Sequence, residues 1–295
     1  MNVTRKTLCV FVFTVLFTPA VSWAEEPLKP FVLASEQSKS LDGAVSETRN
    51  QLSSAGFDIK GEYKPYSSAA VLVVTNQEIL DNAAASEFGG YGAAIRVAVT
   101  KVDHKVQVSF TNPVYMAYAY RMKNAPVATL AKLKKALGYV QDFGAKDGLT
   151  PKQLGKYHYT FGMEYFDEPS ELGSFSSHKE AVARVETGLR EKKGGASRVY
   201  RINIQGKEEV VFGVALTNEC SSDEFIMGHI DQGNPRSTAH LPYEILISGK
   251  DVFALFARFR IAVNFPDLKM MGEGSFMKIM CAPGEIEDAL EEVVS

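Results

Sequence analysis

Residues Ala94–Phe110 read AIRVAVTKVDHKVQVSF, two alternating runs set back to back around Asp103-His104. Ile95, Val97 and Val99 fall on one face of the first run, and Val106, Val108 and Phe110 on the matching face of the second. A period of two is the mark of a strand, and two such runs split by a two-residue polar turn predict an antiparallel hairpin. The flanking sequence extends the pattern. Upstream, Phe31–Ala34 predicts a short strand, FDIKGEYKPY another, AAVLVVT (Ala69–Thr75) a buried one, and QEILDNAAA a short helix. Between the first two strands, Leu41, Val45, Thr48, Leu52 and Ala55 share one helical face, with Ser40 placed to cap it and Gly56 to close it. Downstream, Asn112-Pro113 ends the hairpin. Val127, Leu130, Leu133 and Leu137 then form the stripe of a second amphipathic helix, stopped by Gly138.

The second half repeats this order. YHYTFGMEYF alternates, placing Tyr157, Tyr159, Phe161, Met163 and Tyr165 on one side of a predicted strand. SSHKEAVARVETGLREKKG predicts a helix with Ser177 and Glu180 as a capping box and Val182, Val185 and Leu189 as its stripe. SRVYRINI and EEVVFGVALT form a hairpin around Gln205-Gly206, and PYEILI predicts a strand before Ser248-Gly249. Asp251–Val263 can begin as a helix and finish as a strand. FMKIMC predicts a last strand, followed by a helix entered at Pro283 with Ile286, Leu290 and Val293 facing inward. The local match is closest between LVVTNQEIL (Leu72–Leu80) and VALTNECSSDEFI (Val214–Ile226), each a buried strand ending in Thr-Asn. An internal duplication is the preferred reading, against two domains alike by chance. The expected fold class is therefore α+β: two tandem similar domains, each an antiparallel sheet packed with two helices. The first covers residues 25–143 and the second 157–295, with GAKDGLTPKQLGK (144–156) as linker.

The N-terminus predicts export. Arg5 and Lys6 precede an uncharged run rich in Val, Phe and Leu, which ends at Val21-Ser22-Trp23-Ala24 before Glu25-Glu26. Small residues three and one before the cut fit signal peptidase, with cleavage after Ala24. The apolar core Leu8–Phe17 is short for a span of a hydrocarbon layer about 30 Å thick. The alternative is an uncleaved anchor. A bacterial periplasm is the expected location, with eukaryotic secretion second, and no membrane span is expected after cleavage. Loss of Arg5 and Lys6 moves the formal net charge from −3 to −5. Neither value gives the basic footprint that nucleic-acid binding requires. Cleavage also removes Cys9, leaving Cys220 and Cys281 as an expected disulfide in an oxidising compartment. The alternative is two buried thiols.

The stretch from Gln51 to Met116, through Gly56-Phe57, the buried strand ending at Asn76, the hairpin Ile95–Phe110 with Asp103, and Asn112-Pro113, resembles the bacterial domain-of-unknown-function 302 family. The resemblance covers about 70 residues of the first half. The second half is similar only distantly, through LPYEILISG. It implies a compact α+β domain that often dimerises, and it carries no catalytic residue across.

Chemistry-bearing motifs are few. There is no CxxC, no CxxCH, no GxSxG and no HExxH. The glycines of GGYG (Gly89–Gly92) and KKGGAS read as turns. His229 and His240 flank a loop with Asp231 and Glu224, which reads as a polar loop or, less readily, a metal site. Met270, Met271, Met277 and Met280 cluster beside Cys281, as core filling or a soft-metal patch. No cofactor is evident. Two aromatic rows stand out: Tyr115, Tyr118 and Tyr120 with Met122, of which the last three would share a strand face, and Tyr157 with Tyr159. Tyrosine offers an apolar body with a polar tip, suited to ligands and interfaces. The alternative is that both rows form core or a domain seam. The expected function is a non-catalytic exported protein that binds a small or hydrophobic ligand, or another periplasmic protein, through a cleft between the halves or an aromatic sheet face. An enzyme with an unfamiliar site and an assembly subunit, including a homodimer, are the alternatives.

Overall fold

The computed structural model describes residues 26–160 and 162–295. The export signal, its cleavage after Ala24, Cys9 and the residue Phe161 lie outside the described residues. Among the described residues, no helix is long and apolar enough to cross a membrane.

The first half runs β1 (Phe31–Gln37), α1 (Leu41–Ser54), β2 (Asp58–Tyr66), β3 (Ala69–Thr75), α2 (Gln77–Ala85), β4 (Ile95–Val102), β5 (Lys105–Thr111), α3 (Pro113–Ala119) and α4 (Val127–Leu137), then a three-residue β6 (Gln141–Phe143). A short α5 (Pro151–Leu154) lies in the connecting stretch. The second half runs β7 (Ser170–Ser174), α6 (His178–Glu191), β8 (Ala196–Asn203), β9 (Glu209–Leu216), α7 (Asp223–Ile230), β10 (Tyr243–Ser248), β11 (Asp251–Ala254), α8 (Ala257–Asn264) and α9 (Ala282–Val294). Apart from β6 and α5, both halves follow β-α-β-β-α-β-β-α-α. Their sheets also have the same order, β2-β3-β4-β5-β1 and β8-β9-β10-β11-β7, antiparallel throughout, with β6 added beyond β1.

Alternation explains how the layers stack. In β3, Ala70, Leu72 and Val74 point to a core shared with α1 and α4, while Val71 and Val73 point to the opposite core. In β9, Val210, Phe212 and Val214 join α6 and α9, and Val211 points the other way. The middle core takes residues from both sheets, such as Leu33, Val73, Ile202 and Leu246. The molecule is thus four layers, helices–sheet–sheet–helices. β3 and β9 are buried on both faces, which is why each reads as a continuous apolar run.

Helix ends follow their expected chemistry. Ser40 accepts from Gly43 N–H, and Gly56 takes φ 76° after α1. Ser177 caps α6 through Glu180 N–H, but the Glu180 carboxylate returns to Ser176, one residue before the expected partner. Cys220 and Cys281 are joined as a disulfide, with Cα atoms 6.0 Å apart.

Four expected elements differ. Residues after Asn112-Pro113 form α3, so Tyr118, Tyr120 and Met122 share no strand face. Asn112 Oδ1 accepts from Val114 N–H at 3.1 Å, and Pro113 occupies the first turn, where its missing N–H is no loss. YHYTFGMEYF forms no strand over its described residues, and β7 begins only at Ser170. Its tyrosines alternate but have no neighbouring strand to bond. Asp251–Val263 runs in the reverse sense, strand first and helix second. FMKIMC gives a single 3-10 turn (Phe276–Ile279) that leads into α9.

Candidate functional site

The two halves meet through equivalent parts. β2 packs against β8, and Gly61 lies so close to Val199 that an added Cβ would sit 2.3 Å from its carbonyl oxygen. The 3-10 turn Gly89–Gly92 precedes β4 and packs on β9 and β10; the 3-10 turn Thr238–His240 precedes β10 and packs on β3, β4 and β5. Each half therefore plugs the other with the same connector. Gly90 N–H donates to Glu209 Oε1 at 2.7 Å, and a Cβ on Gly90 would lie 2.4 Å from Leu246 Cδ1.

A buried charge network spans this seam. Arg96 is the second residue of β4, and Glu244 is the second residue of β10. These equivalent positions carry opposite charges, and the side chains pair directly, both about 1% exposed. Arg260 Nε donates to the other Glu244 oxygen at 3.3 Å, and Tyr200 hydroxyl donates to Oε1 at 3.1 Å. Arg260 Nη2 also donates to the carbonyl of His240 at 2.5 Å and to that of Pro242. Burial opposes charge on Arg96, but Glu244 overcomes it and holds the guanidinium above its ordinary range. Burial, then Arg260 and Arg96, push His240 well below the usual histidine value. His240 is thus a neutral interior group, with Phe265 5.3 Å away ring to ring. His229 Nδ1 donates to the carbonyl of Phe225 instead, at 2.7 Å. No group of three or more metal-ligating side chains occurs among the described residues.

The tyrosine rows lie mostly in this seam. Tyr115 is fully buried and donates to the carbonyl of Val263 at 2.7 Å. Tyr120 is buried and stacks on Phe166 at 5.4 Å. Tyr157 donates to the carbonyl of Ala262 at 2.8 Å, while Tyr118 and Met122 are half-buried against the same core. Tyr159 borders a crevice of about 40 Å³, apolar and lined by Met163, Met270 and Phe276. Met271, Met277 and Met280 stand exposed nearby.

Larger openings lie elsewhere on the seam. A recess of about 330 Å³ opens between Tyr66, Ser68, Thr100 and Lys101 of the first half and Glu224–Arg236 of the second. A wider groove of about 690 Å³ continues past Asp231 and Gln232 to the β6 edge and the 265–274 loop. Both share Asp231, at the end of α7. Asp231 is 4% exposed, its Oδ1 accepts from Ser237 N–H at 2.8 Å, and its Oδ2 has no partner. Burial pushes its carboxyl up to about 7, against the Ser237 bond, the charge of Arg236 and the nearby Thr238 hydroxyl. Beneath the recess, Thr100 donates to Thr238, whose hydroxyl also bonds Tyr66 at 3.0 Å. Tyr63 donates to Asp223 Oδ2 at 3.0 Å, and burial pushes Asp223 likewise up to about 7. A buried carboxyl with an unmatched oxygen on a residue that lines an opening marks a candidate ligand site.

In the sequence, Asp231 and Glu224 stand out only for their place beside histidines, and no motif marks Arg96, Glu244 or Arg260. A lone charge inside an otherwise apolar strand, as in AAIRVAVT and LPYEILI, was the available signal. No family model, curated protein or solved structure matches the chain.

Proposed function

We propose that this is an exported, non-catalytic binding protein of the periplasm, which holds a small polar ligand in the recess between its two halves. The observation that carries the reading is Asp231: a carboxylate more than nine-tenths buried, on a residue that lines the opening shared by both halves, with no hydrogen-bond partner on Oδ2. Leaving a buried acceptor unmatched disfavours the fold by about 1–3 kcal/mol, so its presence at an opening fits selection for binding. The signal-like N-terminus and the disulfide-distance cysteine pair support the compartment. The resemblance to the domain-of-unknown-function 302 family is part of this reading, and the repeated nine-element unit is of the compact α+β kind that it implies. The ligand site proposed here is not the tyrosine rows, of which Tyr115 and Tyr157 donate to backbone carbonyls inside the seam and Tyr120 is buried within it.

The test is native mass spectrometry and thermal shift of protein purified from the periplasm, against a library of small polar metabolites. A ligand whose mass and stabilisation both vanish on Asp231→Asn supports the reading. A folded, monomeric protein that binds nothing in the library overturns it. N-terminal sequencing tests export directly, with Glu25 as the expected first residue.

A further inference from the structure

The recess is ringed by charge of both signs. Asp231 and Glu224 stand on the α7 side, Lys101 at the end of β4, and Arg236 on the loop that returns toward β10. None of the four is joined to another by an ion pair within 4.0 Å among the described residues. Arg236 spends one guanidinium nitrogen on the backbone carbonyl of Asp231, which fixes its head beside that residue without neutralising the carboxylate. Glu224 and Lys101 are exposed at the rim, while Asp231 sits at the base. Met227 and the ring of Tyr66 supply apolar wall between them.

From this arrangement, and resting on the ligand-binding reading above, we infer that the recess takes a small zwitterion of the amino-acid class. Its ammonium group lies on the side of the Asp231 carboxylate, with Glu224 adding negative potential at the rim. Its carboxylate lies toward Lys101 and Arg236. A ligand with both charges satisfies both pairs at once. A lone amine leaves two cations facing each other, and a lone acid leaves the buried Asp231 carboxylate unmatched. Charge-assisted hydrogen bonds are roughly twice as strong as neutral ones, so the site should discriminate chiefly through the two charged ends. The volume of about 330 Å³ is at the lower end of the range of about 300–1,000 Å³ for ligand pockets, which suits a ligand of this size.

The experiment is isothermal titration at pH 8 with the full-length mature protein and the twenty L-amino acids. For each binder, the decarboxylated amine and the deaminated acid follow. At least one amino acid is expected to bind, with both truncated analogues at least tenfold weaker. Asp231→Asn should weaken the amino acid at least tenfold and leave the weak binding of the deaminated acid unchanged, whereas Lys101→Met should weaken the amino acid and spare the amine. Circular dichroism confirms that each variant is folded. Equal binding of an uncharged polar compound, or of the amine alone, would overturn the zwitterion while leaving the recess as a ligand site. Binding of no library compound at all would remove both.

Discussion

Replacing Asp231 by Asn should make the protein more stable at alkaline pH and leave it nearly unchanged in acid. The magnitude follows from burial. The folded-state carboxyl is pushed up to about 7 from an ordinary 3.8. Each unit of difference is worth about 1.36 kcal/mol, so ionisation at high pH removes roughly 4 kcal/mol from the folded state. For a carboxyl raised in this way, the contribution is fully present below the unfolded value near 4. It is lost as pH rises through about 7. Asparagine keeps the shape and carries no charge at any pH. The difference in unfolding free energy, variant minus wild type, should therefore rise by about 4 kcal/mol between pH 4 and pH 8, with most of the change between pH 5 and 7. His240 titrates oppositely: kept neutral inside, it destabilises the fold as the unfolded chain protonates below about 6.5. It is common to both proteins and cancels in the difference. Urea denaturation followed by fluorescence at one-unit pH steps supplies the numbers, provided the transitions are two-state. Parallel pH profiles for the two proteins would refute the claim that Asp231 is desolvated, and with it the argument for its free oxygen.

Asp223→Asn should show the same sign of pH dependence, read by the same titrations, because burial raises its carboxyl likewise to about 7. Glu244→Met should destabilise more than Arg96→Met: the first strands two buried arginines, while the second leaves Glu244 still paired with Arg260 and Tyr200. Breaking a buried pair costs about 3–5 kcal/mol, so the arginine variant should fall near or below that range and the glutamate variant at or above it in denaturant melts; the opposite order would contradict the network. Gly90→Ala forces a Cβ to 2.4 Å from Leu246, an overpacking worth about 1–3 kcal/mol, visible as a lower urea midpoint. Replacing both Cys220 and Cys281 by Ser opens a loop 61 residues in separation and should lower stability by about 4 kcal/mol. An unchanged midpoint with and without reductant would mean that the crosslink does not form.

Much of this fold was legible because strand and helix periods are local. The hairpin at Ile95–Phe110, the stripe of α1 and the inward face of α9 all follow from spacing, and so does the order shared by the two halves. The failures have a common physical origin. Tyr157–Tyr165 alternates like a strand, yet strandness depends on a partner edge that sequence does not display. Asn112-Pro113 reads as an end, though the same pair caps a helix when the following residues have an apolar face to bury, as Tyr115 and Ala119 do. The candidate site was harder still. Asp231 became unusual only when β2, β4 and the loop before β10 closed over it, contacts separated by more than a hundred residues. Glu224 and Arg236 are ordinary surface residues until those segments meet.

The opposite charges at the second positions of β4 and β10 bear on how the halves recognise each other. A first half set against another copy of itself would bring Arg96 to Arg96, and a second half against its own copy would bring Glu244 to Glu244. The first-half pairing would bury two arginines with no carboxylate between them, whereas the mixed pairing sets Arg96 against Glu244; in a second-half pairing each Glu244 would keep its own Arg260 and lose Arg96. The two halves are therefore complementary rather than interchangeable, and the correct mate is always available on the same chain. Such a division of charge frees the halves from having to remain alike elsewhere. One can keep the β6 edge while the other carries α7 and its acidic rim, and the recess they form together need not have the symmetry of the scaffold that holds it.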